Sequence, residues 1–183
     1  MRVHGEAGSR IVIEEFLAGL EISTHALCDG ERALLFPSSK DHKRIYENDE
    51  GPNTGGMGTI APVPIVPSEQ MKLVEERIVL PLLRALKKRG RPFKGLLFPG
   101  VMLTKYGPMV IEFNARFGDP ETQSYMRLMK SDIVPALLAS AKGDLSGVTL
   151  EWNDGAVGCI ILASGGYPGT YEKGKEISCI EGA

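Results

Sequence analysis

Apolar and polar positions change period several times along this chain, and each change marks an element. Residues 11–16 form a β-branched apolar run that reads as a strand. Residues 21–28 and 32–36 read as a hairpin whose turn is the Asp29-Gly30 pair. Residues 37–67 have little periodicity and much Gly and Pro, so a long, irregular, functional segment is expected there. Helical spacing follows. Met71, Val74, Ile78, Leu82 and Leu86 recur on one face, with Ser68 as the expected cap, Glu69 in the first turn, a kink at Pro81, and Lys87, Lys88, Arg89 and Gly90 at the end. Residues 95–103 and 109–114 then alternate as a second hairpin around Lys105-Tyr106-Gly107-Pro108. Helices are expected at 121–130 and 132–142, the second capped by Ser131 with Pro135 accommodated in its first turn. A polar, Gly-rich stretch at 143–155 separates these from an apolar run at 156–164, expected to be a buried strand.

This order predicts an α+β fold with an antiparallel sheet and packed helices. The last 30 or so residues cannot bury a core alone. Residues 1–147 are therefore expected to belong to one domain and 148–183 to the first strands of another that is cut off.

Composition narrows the class without naming a chemistry. The chain has 183 residues, 43% hydrophobic and 24% charged, enough for one good core and too apolar for disorder. A net charge of −2 gives no electrostatic footprint for nucleic acid. No apolar run is long enough to span a bilayer, and Met1 is followed by Arg2, His4 and Glu6 rather than an apolar leader, so neither a membrane partner nor secretion is expected. Cys28, Cys159 and Cys179 lack paired spacing and sit in apolar runs, which predicts reduced core thiols and a cytoplasmic setting.

The residues that carry most chemistry are V-I-E-F-N-A-R-F-G-D-P-E-T at 110–122. Strand alternation puts Glu112 and Asn114 on one face and Ile111 and Phe113 on the other. A carboxylate and an amide oxygen side by side are hard donors of the kind Mg²⁺ accepts, with water and phosphate oxygens completing its shell. Arg116 adds a planar donor fork, and the Asp119-Pro120 turn fixes Arg116, Asp119 and Glu121 beyond the strand end. Upstream, Asp41, His42, Lys43 and Arg44 crowd three cations beside a carboxylate, before a loop at 51–58 whose glycines let backbone N–H groups approach an anion. A polar strand end, a charge run or a Gly-rich loop is ordinary surface when it stands alone. Their combination points to a phosphorylated substrate. Lys105, in a hairpin turn, reads as a surface lysine.

Taken together, I-V-I-E-E-F-L at 11–17, D-H-K-R at 41–44, G-P-N-T-G-G-M-G at 51–58, I-E-F-N-A-R-F-G-D-P-E-T-Q at 111–123, K-S-D at 130–132 and A-S-G-G-Y-P-G at 163–169 resemble, in order and spacing, the phosphoribosylamine-glycine ligase family. The resemblance runs from about Glu6 to the end. It implies an ATP-grasp fold, which clamps ATP between two α+β subdomains, and ATP-dependent ligation of glycine to 5-phosphoribosylamine through a glycyl phosphate, giving glycinamide ribonucleotide, ADP and phosphate in purine synthesis.

The resemblance also implies site roles. Glu14, Glu15, Phe16 and Leu17 would meet the adenine and Glu21 the ribose. Asp41, His42, Lys43 and Arg44, with Asn53, Thr54, Gly55, Gly56, Met57 and Gly58, would receive phosphoribosylamine and cover the acyl-phosphate site. Glu112 and Asn114 would hold Mg²⁺ or Mn²⁺ against ATP phosphates. Arg116 would stabilise the transferring phosphoryl group, and Asp119, with Gly118 and Glu121, would orient Arg116 or contact glycine's amine. Residues 96–103 carry no carboxylate, in line with this family and against a carboxylase-like relative.

Family members begin with a substrate domain and a lysine-bearing, Gly-rich front half of the ATP-grasp unit, and no such residues precede Ile11. The chain is thus expected to be an internal fragment, partnered by the remainder of the same enzyme, with little ligase activity and poor solubility alone. Two other readings stand beside this one. One is a different ATP-grasp ligase, against which the D-H-K-R and Gly-rich motifs argue. The other is a nucleotide-binding or interaction module of the same ancestry without catalysis.

Overall fold

The computed structural model describes residues 5–178, so the leader expectation for Met1 to His4 and the thiol expectation for Cys179 lie outside the described residues. Every strand pair is antiparallel. The main sheet is built on one long strand, β8 (Lys94–Thr104). β9 (Gly107–Asn114) lies along one edge of it, while β1 (Leu20–Ser23) and β2 (Ala26–Asp29) lie end to end along the other, with β3 (Ala33–Leu35) outside β2.

A single strand was expected over 21–28, and the structure breaks it at Thr24 and His25. The break falls opposite Pro99. Its carbonyl accepts both the N–H and the hydroxyl of Thr24, at 3.1 and 3.0 Å, but proline has no N–H to return, so the ladder stops and restarts at Ala26. The Asp29 hairpin turn is as expected. Asp29 Oδ1 accepts the N–H groups of Glu31 and Arg32, at 2.9 and 2.7 Å.

Three strand-level expectations fail. Residues 11–17 form no ladder among the described residues, and Ile11, Val12, Ile13 and Phe16 are 77 to 89% exposed. An apolar β-branched run becomes a strand only when it pairs with a sheet edge, and no described strand pairs with this run. Residues 37–67 are less irregular than their composition suggests. They hold β4 (Lys40–Asp41), β5 (Arg44–Tyr46), β6 (Glu50–Asn53) and β7 (Gly58–Ala61), with a 3₁₀ turn at Glu47–Asp49 between β5 and β6. The run at 156–164 yields only β10 (Val157–Ile160), which pairs with β7 and leaves Ile160 and Leu162 exposed. A strand covered on one side only buries alternate residues.

The expected long helix forms from α1 (Ser68–Val74) and α2 (Leu80–Lys88), joined by a π turn at Glu75–Val79. Pro67, not Ser68, is the residue before the first turn. Pro81 produces the π turn. Its ring would press on the carbonyl four residues back, and widening the preceding turn relieves that contact. α3 (Glu121–Leu128) and α4 (Ile133–Lys142) follow. Asp132 replaces Ser131 as the cap of α4, its carboxylate accepting the Val134 N–H at 2.9 Å, while Ser131 Oγ accepts the N–H of Glu151.

The helices cover the two faces of the main sheet unequally. Ile22, Ala26, Cys28, Leu97 and Val101 pack on Val74, Ile78, Val79 and Leu83, so one face is closed by α1 and α2. On the other face, Leu27 and Leu96 pack with Phe36, Tyr125, Leu128 and Ala136 under α3 and α4. That cover does not extend over the β1 end of the sheet. The uncovered half becomes a cleft. Cys28 is buried, and its thiol is pushed up to about 12 by burial, with the Asp29 charge adding to it. Cys159 is a free thiol, half-buried on β10.

Candidate active site

Side chains of paired strands share a face, so the open half of the sheet can be read row by row. Glu21, Met102 and Met109 form one row across β1, β8 and β9, and Ser23, Gly100 and Glu112 form a parallel one. Between these rows β9 carries a bulge, since Val110 pairs with Val101 and Glu112 with Gly100. The bulge corrects one expectation. Ile111 does not share the far face with Phe113 but turns into the cleft beside Glu21 and Met102, while Glu112 and Asn114 stay in phase. Ile111 and Phe113 are also more exposed than a half-buried strand predicts, at 36 and 45%, on a strand that pairs on one side only, with β8.

Glu14, Glu15, Phe16 and Leu17 run over the same cleft. With Glu21, Met102, Met109, Val110 and Ile111 they line a cavity of about 370 Å³, apolar over most of its wall with carboxylates at its rim. Such a slot can take a flat ring between methionines and an extended backbone. Met102 and Met109 were not singled out from the sequence. The signal that finds them is the strand register that aligns them with Glu21.

A second cavity, of about 710 Å³, continues from this one and is lined by Glu21, Lys40, Asp41, Lys43, Arg44, Asp49 and Asn53. Lys43 bonds Glu21. Burial disfavours the ammonium charge, yet the bond to Glu21 and the charges of Asp41 and Glu112 hold it above the ordinary lysine range. Asp41 goes the opposite way. Burial first, then the Glu121 charge, raises its carboxyl to about 7, against the pull of Lys43. Among the described residues its buried Oδ1 has no hydrogen-bond partner. His42 points away from both, with Nδ1 3.3 Å from the Gly58 carbonyl, and borders a separate cavity with Met57 and Cys159. Arg44 turns its guanidinium back to the Gly51 carbonyl at 2.5 Å. The D-H-K-R run therefore divides, with Asp41 and Lys43 facing the Glu21 cleft.

The Gly-rich loop does not present a nest of free N–H groups. Those of Thr54, Gly55, Gly56 and Met57 already donate to Lys43 O, Tyr167 Oη, Thr54 Oγ1 and His42 O, at 2.7 to 3.0 Å. Its glycines serve close approach instead. A Cβ on Gly56, where φ is +119°, would lie 2.5 Å from Pro120 Cδ and 2.8 Å from Asp41 Oδ1.

One row further along the same sheet face, Asn114 Nδ2 donates to Glu112 Oε1 at 3.2 Å, so both groups reach the same spot. Turning the amide over would present its oxygen there instead. Among the described residues, no group of three or more His, Cys, Asp or Glu is arranged to hold a metal. A cation would thus take two protein oxygens and draw the rest of its shell from ligand and water, a donor set that fits Mg²⁺ or Mn²⁺. Arg116 lies over the Phe98 ring, 5.9 Å from its centroid, and donates to the Phe117 carbonyl. Asp119 accepts from Gln123 Nε2 at 2.7 Å and makes no ion pair with Arg116 among the described residues. Glu121 is buried, its Oε1 accepting from Ser23 Oγ at 2.7 Å. Lys105 is exposed on the hairpin tip, over the Tyr106 ring.

Behind this loop His25 is fully buried, stacked on Phe98 with centroids 4.2 Å apart and edge-on to Tyr125. Burial, with Arg116 nearby, depresses its imidazole to about 3. Sequence reading passed over it, since one His in an apolar strand carries no spacing signal.

A family model described as phosphoribosylglycinamide synthetase, ATP-grasp (A) domain, matches residues 1–122. The chain is 49% identical over 180 residues to a phosphoribosylamine-glycine ligase of Caldanaerobacter subterraneus subsp. tengcongensis, which covers 98% of this chain and 43% of the relative. It is 47% identical over 183 residues to the chloroplastic ligase of Arabidopsis thaliana, covering 99% of this chain and 34% of that one. The crystal structure of the Thermotoga maritima ligase superposes with a TM-score of 0.81 at 39% identity, over 89% of this chain and 41% of that chain. The chain thus spans less than half the length of these three relatives. No described helix is long and apolar enough to cross a membrane. The sheet with one closed and one half-open face is an ATP-grasp sheet, and the chain belongs to the phosphoribosylglycinamide synthetase family.

Proposed function

We propose that this chain forms the nucleotide-, metal- and amine-handling part of an ATP-dependent ligase that joins glycine to 5-phosphoribosylamine. The observation that carries the reading is the continuous cleft that the Glu14 to Leu17 segment shares with Glu21, Asp41 and Lys43, with Glu112 in the next row of the same sheet face and Asn114 bonded to it. Adenine would lie against Met102 and Met109, with Glu21 accepting from ribose hydroxyls. Glu112 and Asn114 would hold Mg²⁺ or Mn²⁺, which supplies charge neutralisation at the phosphate oxygens when bound. Arg116, which lies over Phe98, would stabilise charge on the transferring phosphoryl group. Glycine's carboxylate would attack the γ-phosphorus, releasing ADP. The amine of phosphoribosylamine would then attack the acyl carbon and expel phosphate, losing one proton. Asp41 and Lys43 face the part of the cleft where that amine would sit.

Residues 1–147 are read as part of the ATP-grasp domain and 148–183 as the start of a C-terminal domain, supported by the polar, Gly-rich stretch between them. The remainder of the same enzyme is read as the partner, and the cytoplasm as the setting, although one relative is named as chloroplastic. The test is a chimera in which this chain replaces the matched segment of the Caldanaerobacter ligase. ADP release should require both glycine and phosphoribosylamine, and Glu112→Ala should abolish it. A chimera that folds and binds ATP but releases no ADP would leave a non-catalytic binding module as the better reading.

A further inference from the structure

Two polar side chains of one strand segment reach the two ends of the loop that carries Gly118, Asp119 and Glu121. Ser23 and His25 are two residues apart, so they leave the strand on the same face. Ser23 Oγ donates to Glu121 Oε1 at 2.7 Å, and His25 Nε2 accepts the Gly118 N–H at 3.1 Å. All three side chains, Ser23, His25 and Glu121, are buried, at 6, 0 and 3% exposure. The ladder break opposite Pro99 is what frees this segment. The His25 carbonyl still accepts the Phe36 N–H at 2.8 Å, and its ring lies flat on Phe98, the ring over which Arg116 sits.

We infer that Ser23 and His25 are positioning residues that clamp turn 118–121 from the core side and so set where Asp119 and Arg116 stand at the cleft. The inference rests on the proposed ligase reading only for the statement that this loop serves the reaction. The clamp itself stands on the geometry. A buried imidazole is a costly way to fill a core position, since its Nδ1 finds no partner among the described residues. Leucine or phenylalanine would fill the volume, but neither offers an acceptor to a buried N–H. The bond also fixes the tautomer. Because Gly118 donates to Nε2, the imidazole proton sits on Nδ1.

The first test needs no substitution. A long-range proton–nitrogen correlation spectrum of the full chain should show His25 as the neutral Nδ1–H tautomer, and the Nε2–H tautomer would overturn the clamp. The second test compares His25→Gln, whose side-chain carbonyl can reach the Nε2 position, with His25→Leu. Amide exchange at Gly118 should be at least about tenfold faster in His25→Leu, the factor that one lost hydrogen bond of about 1.4 kcal/mol gives, and close to wild type in His25→Gln. Equal protection in both variants would overturn it, and if His25→Leu does not fold, Ser23→Ala should loosen the same turn from its other end. Mg²⁺·ATP binding is read in parallel. If the Caldanaerobacter chimera carrying His25 binds no nucleotide, the ligase reading fails while the tautomer and exchange results on the chain still decide the clamp. If it binds, the dissociation constant should rise severalfold in His25→Leu and recover in His25→Gln.

Discussion

Gly118 is a tightly enclosed point of the candidate site, and Gly118→Ala asks how rigidly its surroundings are held. Its φ lies outside the left-handed region, so the backbone accepts alanine and the cost is steric. The new methyl would sit 2.4 Å from Glu121 Oε2, 2.8 Å from Glu121 Cδ and 2.9 Å from His25 Nε2. None of these can swing into solvent. The imidazole is packed between Phe98 and Tyr125, and the carboxyl is tied to Ser23. Overpacking a buried site costs about 1–3 kcal/mol, and a displaced Glu121 that loses its Ser23 bond adds about 1–3 kcal/mol. A total of about 4 kcal/mol in a chain of this size lowers Tm by about 8–16 °C. Thermal unfolding can be followed by the fluorescence of Trp152, the only tryptophan, whose ring lies 5.2 Å from Phe36 and 6.2 Å from Tyr125. Gly158→Ala is the control, because its Cβ would meet nothing within 4 Å. A Gly118→Ala variant that melts within about 2 °C of wild type, alongside an unchanged control, would refute a rigid loop packed against His25.

Other substitutions test separate parts of the fold. Ser39 Oγ donates to the Ser23 carbonyl, so the Tyr125 hydroxyl donates to Ser39 at 2.7 Å, and Tyr125→Phe should cost only about 1 kcal/mol by urea denaturation. A loss above about 3 kcal/mol would mean the hydroxyl holds more than this one bond. Asp29 accepts three backbone N–H groups, including Leu145 at 3.0 Å, and Asp29→Ala should cost about 2–4 kcal/mol. Burial works against the Asp29 charge, but these donors hold its carboxyl below the ordinary range. Its contribution is present above the unfolded carboxyl pKa and lost as pH falls through the folded one, so Asp29→Asn should flatten the acid limb of the stability curve. Asp41 has the opposite sign. With its carboxyl near 7 in the folded chain against an ordinary value of 3.8, the native state holds a proton the unfolded state has released. Stability should therefore fall as pH rises across that window, and Asp41→Asn should remove this slope. An unchanged slope would place the buried proton elsewhere.

Elements with strong local signals are legible in the residue pattern. The hairpin at 29–30 was legible because an Asp side chain can satisfy its own turn, and the helix from Ser68 because an apolar stripe needs only a 3.6-residue period. The phase of Glu112 and Asn114 was legible for the same reason, since strand alternation is local. What tertiary structure alone decided are the features that depend on a distant partner. Residues 11–17 have strand character but pair with no described strand, and Ile111 faces the cleft because the register against β8 slips by one residue. The D-H-K-R run divides because β4 pairs with β7, which turns His42 toward the Gly58 carbonyl while Asp41 and Lys43 line the cleft. The N–H groups of the Gly-rich loop are consumed by bonds to Lys43, His42 and Tyr167 that no spacing rule reveals. His25 is the clearest case. A polar residue in an apolar run is invisible to periodicity, and its role exists only where Pro99 interrupts the ladder and brings it, 93 residues along the chain, to the Gly118 N–H. Local patterns report how a segment satisfies its own backbone and which face it buries. Which groups converge on one cleft is set by pairings whose energies are non-local, and these appear only once the chain has closed on itself.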